Sequence, residues 1–288
     1  MSKTKRAISF SGFESWRAHI KDSLIENTDV MFVPTMGALH EGHGDLIRAA
    51  RKMADANGQA HVVVSIFINP TQFDDPSDFQ SYPATPDQDM QLVQRAGADA
   101  VVFPTVLEMY PQGVPDAADP VGFGALTDSL EGAKRKGHFD GVVAVVRNLM
   151  EQVGPRWAFF GEKDWQQLAV IKKLVAHEFE GVTIVPVPTR RELDGLAMSS
   201  RNRRLSGSHR ARANALYQVL VKVAESTDPI AACPIAAAEL ESLGFTVEYL
   251  SVVNGDSLEP TWVPGKMRVF VAARLGGVRL IDNVACLM

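Results

Sequence analysis

The 288-residue sequence predicts a doubly wound α/β domain built on a parallel sheet, followed by a smaller α+β domain. Three observations predict it. Strand-like and helix-like segments alternate from residue 30 to about Pro188. The strand-like segments are nearly unbroken apolar runs, as expected of parallel strands covered on both faces. Beyond Pro188 the alternation stops, and helical stretches come first with strand-like ones after them.

The elements follow in order. Ser11 with Glu14 reads as a capping box opening a helix to about Asn27. Residues 30–33 read as a short buried strand, and a glycine-rich turn follows. Leu46, Ile47, Ala50, Met53 and Ala54 then recur at helical spacing. Residues 61–68 are rich in β-branched side chains and read as a second strand. Thr85-Pro86-Asp87-Gln88 offers another capping box, with proline at the first helical position. Gly97 ends that helix, and residues 99–103 form a third strand. Residues 104–137 read as a long irregular stretch, and such loops are usually functional or mobile. A helix over 139–153, a strand over 157–160, a helix over 163–179 and a strand over 182–187 complete the Rossmann-like domain, 1–188. The second domain, 189–288, holds helices over 208–225 and 235–243. Its strands cover 245–253, 267–275 and 278–281, with Gly276-Gly277 as a tight hairpin turn.

Composition bounds the function. The chain is 46% hydrophobic and 22% charged, an ordinary globular balance. A net charge of −5 argues against a general nucleic-acid footprint. The two cysteines make no disulfide framework and suggest a reducing compartment. The N-terminus lacks a signal-peptide core and the apolar runs are strand-sized, so no membrane segment is expected. A soluble, cytoplasmic protein is expected.

Three turns carry chemistry. The first, PTMGALHEGH, follows a strand and enters a helix, with His40 and His43 three apart among glycines. Helix N-termini favour anions, and glycines let backbone N–H groups approach them. A metal reading is weaker, because no third ligand stands at a recognisable spacing. The second, GEKDWQQL, repeats the strand–turn–helix layout, with Lys163 and Gln167 on one helix face. The third, TRRELDGLAMSSRNRRL, concentrates arginines beside Ser199 and Ser200, and EGAKRKGH adds Lys134, Arg135, Lys136 and His138. Each turn alone is also readable as a solvated or capping segment, and for GEKDWQQL the ordinary helix start is the stronger reading. Together, in an acidic chain, they argue for a nucleoside triphosphate. Neither a Walker sequence nor a G-x-G-x-x-G after a strand is present.

The blocks PTMGALHEGH, SIFINPTQFDDPSDFQSYPATPDQD, LEGAKRKGHFDGV, FFGEKDWQQL and DGLAMSSRNRRL occur in that order. Through them the chain closely resembles the pantothenate synthetase (pantoate–β-alanine ligase) family, over nearly its whole length. The resemblance implies a Rossmann-like domain with the H-x-G-H signature and a C-terminal domain that closes over the cleft. It also implies a homodimer, the substrates ATP, pantoate and β-alanine, Mg2+, and a reaction through pantoyl adenylate. It puts ATP against Met36, Gly37, His40, Gly42, His43, Gly161, Glu162, Lys163, Asp164, Arg190, Met198, Ser199, Ser200 and Arg201. His43 is the implied proton donor, with His40 beside it; Lys163, Ser199, Ser200 and Arg201 complete the catalytic set. Pantoate and β-alanine are implied against Pro34, Met36, Asn69, Gln72, Gln167, Arg135 and His138. Asp89 matches a carboxylate near the metal.

Four positions depart from the family pattern: Asp45 in the first turn after the histidines, Gln88 before Asp89, Lys136 and Arg190. Asp45 is expected to favour the helix start and to repel phosphate slightly. Two rivals remain at this point, a nucleotidyl transferase that stops at an adenylylated product and a nucleotide-binding module without turnover.

Overall fold

Apolar runs, buried throughout residues 60–65 and Ala100–Val102, build the first sheet of the computed structural model, which describes residues 7–22, 28–58, 60–73, 79–114 and 122–287. Its strands are β1 (Ile8–Phe10), β2 (Asp29–Thr35), β3 (Ala60–Ile66), β4 (Ala100–Val102), β5 (Trp157–Gly161) and β6 (Thr183–Val187). They lie in the order β1-β4-β3-β2-β5-β6, and every pair is parallel. From β2 onward this is the doubly wound order, with β1 added at one edge. The winding reverses between β2 and β5, which pair through Met31↔Trp157 and Phe32↔Ala158. In such sheets ligands bind beyond the carboxyl ends of the strands at that reversal.

The chain divides into two units, and both are discontinuous in sequence. The first comprises Met1–Gly122, Lys134–Gly161 and Val170–Val187; the second comprises Phe123–Ala133, Glu162–Ala169 and Pro188–Met288. In the first unit, Met31, Val33, Val62 and Val64 from the sheet and Ile47 and Ala50 from the helix Glu41–Ala56 share one core. All six are fully buried. Burial of each Val, Ile or Met contributes about 1.5–3 kcal/mol, which outweighs weak local preferences.

In the second unit, β7 (Thr246–Asn254), β8 (Met267–Leu275) and β9 (Val278–Ala285) form an antiparallel sheet. Leu216, Val219 and Leu220 of the helix Ala215–Ala224 pack with Val269, Val271 and Leu280 of that sheet. Gly276 and Gly277 join β8 to β9 at φ 56° and 81°, as the primed hairpin turn requires of both central residues.

Several elements differ from the sequence expectation for identifiable reasons. The first helix covers Phe13–Asp22, and residues 23–27 lie outside the described residues. The helix starts at Phe13, two residues after Ser11, and the Phe13 N–H donates to Glu108 Oε1 at 3.0 Å, a carboxylate from a distant segment. The helix Pro86–Ala96 lacks a side-chain cap from Thr85, whose hydroxyl donates instead to Asp89 at 3.0 Å. Residues 104–137 are not simply irregular. They contain helical turns at Val106–Met109, Ala125–Asp128 and Leu130–Lys134, the first closed by a Thr105–Glu108 capping box. The expected helix over 208–225 breaks at Asn214 into Gly207–Ala213 and Ala215–Ala224. The next helix starts earlier than expected, at Pro229 behind the Asp228 cap, and runs through Pro234 to Ser242. Among the described residues no helix is long and apolar enough to cross a membrane.

Candidate active site

The turn after β2 is organised by two histidines and one buried carboxylate. His40 is the N-cap of the helix Glu41–Ala56, and its Nδ1 accepts the Gly42 N–H at 3.2 Å. His43 Nδ1 accepts the His40 N–H at 3.2 Å. The pair thus plays the part that Ser and Glu play in an ordinary capping box. An accepting Nδ1 carries no proton, so each neutral ring bears its proton on Nε2. The rings lie 4.2 Å apart, centroid to centroid. Two Nε2–H donors at a helix N-terminus make an arrangement suited to phosphate oxygens.

Asp89 lies beneath this turn, 1% exposed. Its Oδ2 accepts from Ala38 N at 3.0 Å, and its Oδ1 accepts from Leu39 N at 2.7 Å and Thr85 Oγ1 at 3.0 Å. To aim those N–H groups at one carboxylate, Gly37 and Ala38 take φ 82° and 49°. Alanine rarely adopts that region, and the hydrogen bonds to Asp89 hold it there. Both oxygens of Asp89 are therefore engaged in shaping the backbone. Gln88 beside it is exposed. Asp45 forms a 2.6 Å ion pair with Arg48, whose charge offsets the carboxylate at this helix start.

A second group of predicted residues meets around Asn69 and Gln72, still in the first unit. Asn69, 1% exposed, caps the Pro70–Gln72 turn. Its amide donates to Gln72 Oε1 and to the Gly141 carbonyl, both at 3.2 Å. Its carbonyl accepts from the Tyr110 hydroxyl at 2.7 Å. Asn69 is thus spent on holding Gln72 in place. Among the described residues the Gln72 amide donates to the Met36 thioether, a weak acceptor. His138 Nδ1 donates to the Gln72 carbonyl at 2.8 Å, and Arg135 Nη2 reaches the same oxygen at 3.3 Å. Arg135 also donates to His138 Nε2 at 3.0 Å, which fixes the Nδ1–H tautomer. Lys136, the departure in this segment, is exposed. Tyr110 was not singled out in the sequence; it is buried, and desolvation pushes its phenol above the usual value.

β5 ends at Gly161 and continues into the turn Glu162–Asp164, the start of the second unit's share. Lys163 Nζ stands 3.7 Å from Asp164, a loose pair. Of the adjacent glutamines, Gln166 is buried and fully employed: it accepts from Glu131 N and donates to the Leu126 and Ser129 carbonyls. Gln167 is half-buried and its side chain makes no hydrogen bond among the described residues, which leaves its amide available.

The arginine-rich segment forms a small hairpin. Arg191 bridges Ala197, and Met198 N donates to the Arg190 carbonyl at 2.9 Å. Ser199 caps the turn Ser200–Arg204 by accepting the Arg201 N–H at 3.3 Å. The arginines divide sharply. Arg190, Arg203 and Arg204 are exposed. Arg191 belongs to the scaffold: it forms a two-pronged pair with Asp282 at 2.6 and 3.0 Å and stacks 3.8 Å from the Tyr217 ring. In the other basic segment, Glu131 is clamped by Arg279 through two 2.7 Å bonds.

A doubly wound sheet whose central strand β2 leads into a histidine-capped helix N-terminus has the layout of a nucleotide-using α/β enzyme. Comparison with known proteins narrows the class. A family model described as pantoate-beta-alanine ligase matches residues 9–285. A pantothenate synthetase of Bdellovibrio bacteriovorus is 44% identical over 274 residues, 95% of this chain and 96% of its own. One from Cereibacter sphaeroides is 47% identical over 274 residues, 93% of this chain and 95% of its own. The crystal structure of the pantothenate synthetase from Thermus thermophilus superposes with a TM-score of 0.85 at 39% identity, covering 97% of this chain and 99% of that one. A pantoate–β-alanine ligase structure from Francisella tularensis, complexed with beta-gamma ATP and β-alanine, gives 0.82 at 34% identity, with 98% of each chain covered. The chain belongs to the pantoate–β-alanine ligase family and is an enzyme of that kind.

Proposed function

We propose that the enzyme condenses pantoate with β-alanine in two steps. A pantoate carboxylate oxygen attacks the α-phosphorus of ATP, forming a C–O–P linkage and expelling pyrophosphate. The neutral amine of β-alanine then attacks the activated carbonyl carbon, giving pantothenate and releasing AMP, which keeps the bridging oxygen. The observation that carries this reading is the His40–His43 turn, with two Nε2–H donors at a helix N-terminus beyond β2, one of the two strands flanking the winding reversal.

Pantoate supplies its own nucleophile, so the protein's work is positioning and charge neutralisation. His40, His43, Lys163, Ser199, Ser200 and Arg201 are assigned to ATP, with His43 the donor to the reacting phosphate. Gln72 and Gln167 are assigned to pantoate, since each presents an amide that a substrate oxygen can take. Asn69, Tyr110, Arg135 and His138 hold Gln72. Among the described residues no three His, Cys, Asp or Glu side chains gather as a metal-binding group, and Asp89 is engaged by backbone. Asp89 is accordingly assigned to the scaffold of the turn and not as a resident metal ligand. Mg2+ is therefore assigned to the substrate MgATP, ligated by phosphate oxygens, and no step is routed through a protein-held ion.

The test is AMP release with each substrate omitted in turn. AMP is expected only when ATP, pantoate and β-alanine are all present, with pyrophosphate exchange needing ATP and pantoate alone. Pyrophosphate release with no AMP in the complete mixture favours a transferase that stops at the adenylate, and release of neither favours a binding module.

The close approach around Gln72 gives a separate prediction. A Cβ on Gly141 would stand 2.2 Å from the Thr71 carbonyl oxygen. Gly141→Ala is expected to push the Pro70–Gln72 turn away, costing about 1–3 kcal/mol of stability. The KM for pantoate should rise several-fold while that for ATP stays constant. Steady-state kinetics and thermal denaturation check both.

A further inference from the structure

Both of the second unit's proposed ATP segments, the turn at Glu162 and Lys163 and the hairpin running into Ser199, are tied to one dipeptide that no motif contains. Asp282 and Asn283 are consecutive on β9, opposite Val271 and Phe270 of β8. Successive strand side chains leave on opposite faces. A single dipeptide therefore reaches two different loops. Asp282, 3% exposed, takes the Arg191 guanidinium at 2.6 and 3.0 Å. Arg191 is held further by the Gly195 carbonyl at 3.1 Å and by Tyr217. These contacts fix the hairpin whose far strand runs from Ala197 into Met198 and Ser199.

Asn283, 4% exposed, donates through Nδ2 to the carbonyls of Glu162 at 3.0 Å and Lys163 at 2.9 Å. Its orientation is set from the other side. Arg268 donates to Asn283 Oδ1, and that guanidinium lies 3.4 Å from the ring of Trp165, just beyond Lys163 in the chain. Trp165 is itself anchored by Nε1 on the Gly255 carbonyl at 2.7 Å. With its oxygen turned to Arg268, both amide hydrogens face the two carbonyls. Two part-buried hydrogen bonds at consecutive carbonyls fix the peptide planes on either side of the Lys163 Cα, and so the direction in which its side chain leaves.

We propose that Asp282 and Asn283 are positioning residues for the nucleotide: Asn283 aims Lys163, and Asp282 acting through Arg191 sets the Met198–Ser199–Ser200–Arg201 segment. This rests on the proposed role of those two segments in holding ATP. The prediction is a selective one. Asn283→Ala should raise the KM for ATP about tenfold or more, or lower the rate of pantoate-dependent ATP–pyrophosphate exchange by a similar factor. The KM values for pantoate and β-alanine should stay within about twofold.

The deciding experiment is a double-mutant cycle on the full chain, with Asn283→Ala, Lys163→Ala and the pair, read as KM for ATP and exchange rate. If Asn283 acts through Lys163, the double variant is no worse than Lys163→Ala. Additive losses overturn the proposal, as does an Asn283→Ala variant whose ATP kinetics match wild type, or an equal rise in the KM for pantoate. Asp282→Asn gives the same ATP-selective readout if Asn283→Ala fails to fold; unchanged ATP kinetics there overturn the arm through Arg191. Wild-type enzyme that forms no AMP from the complete mixture overturns the ATP reading itself, and is distinguished by needing no variant.

Discussion

His43→Ala is expected to fold and to lose about 10²–10³ of its pantoate-dependent ATP–pyrophosphate exchange, the loss typical of one removed donor to developing charge. Two roles of this residue separate in the prediction. Its Nδ1 accepts the His40 N–H, so alanine also removes half of the helix cap, costing about 0.5–2 kcal/mol of stability. Its Nε2–H is the proposed donor to the phosphate. His40→Asn divides the same roles at the neighbouring position. The Asn oxygen can still accept the Gly42 N–H, but nothing replaces Nε2–H. That variant should keep its thermal midpoint and lose activity. Exchange near the wild-type rate in His43→Ala contradicts its assignment as donor, and unchanged exchange in His40→Asn reduces His40 to a cap.

Asp89→Ala is expected to have the largest effect on stability, about 3–5 kcal/mol. It strands the N–H groups of Ala38 and Leu39, and each unsatisfied buried donor costs about 1–3 kcal/mol. It also releases Ala38 from its positive φ, so the His40 turn loses its shape and ATP binding falls with it. The milder Asp89→Asn separates this from metal ligation. One amide hydrogen must then face a backbone N–H, so the thermal midpoint drops. The Mg2+ concentration for half-maximal activity, at fixed MgATP, should stay unchanged. A raised Mg2+ requirement at an undisturbed midpoint contradicts the structural role.

What could be read from the letters alone is what the chain encodes locally. His40 and His43 cap a helix three residues apart, so spacing exposes them. β2, β3 and β5 are apolar runs and declare themselves. Gly276-Gly277 names its own turn. What stayed hidden depends on partners far away in sequence. β1 has only three residues, too few for a period to show. Ser11 and Thr85 look like caps, but Glu108 and Asp89 change what those helix starts do. Arg191 sits among arginines proposed for phosphate, and only Asp282, 91 residues later, marks it as scaffold. Gln166 and Gln167 look alike in sequence; the carbonyls of Leu126 and Ser129 claim one and leave the other. Tyr110 and Asn283 carry no local signal, since their hydrogen bonds cross 41 and 121 positions.

The central claim is that pantoate is activated through a bond between its carboxylate oxygen and the α-phosphorus. Pantoate labelled with 18O in the carboxylate tests it directly, with the products read by mass spectrometry or 31P NMR. The account predicts that each turnover moves one labelled oxygen from pantoate into AMP, with none in pyrophosphate. Unlabelled AMP, or label in a phosphate released alongside ADP, contradicts it.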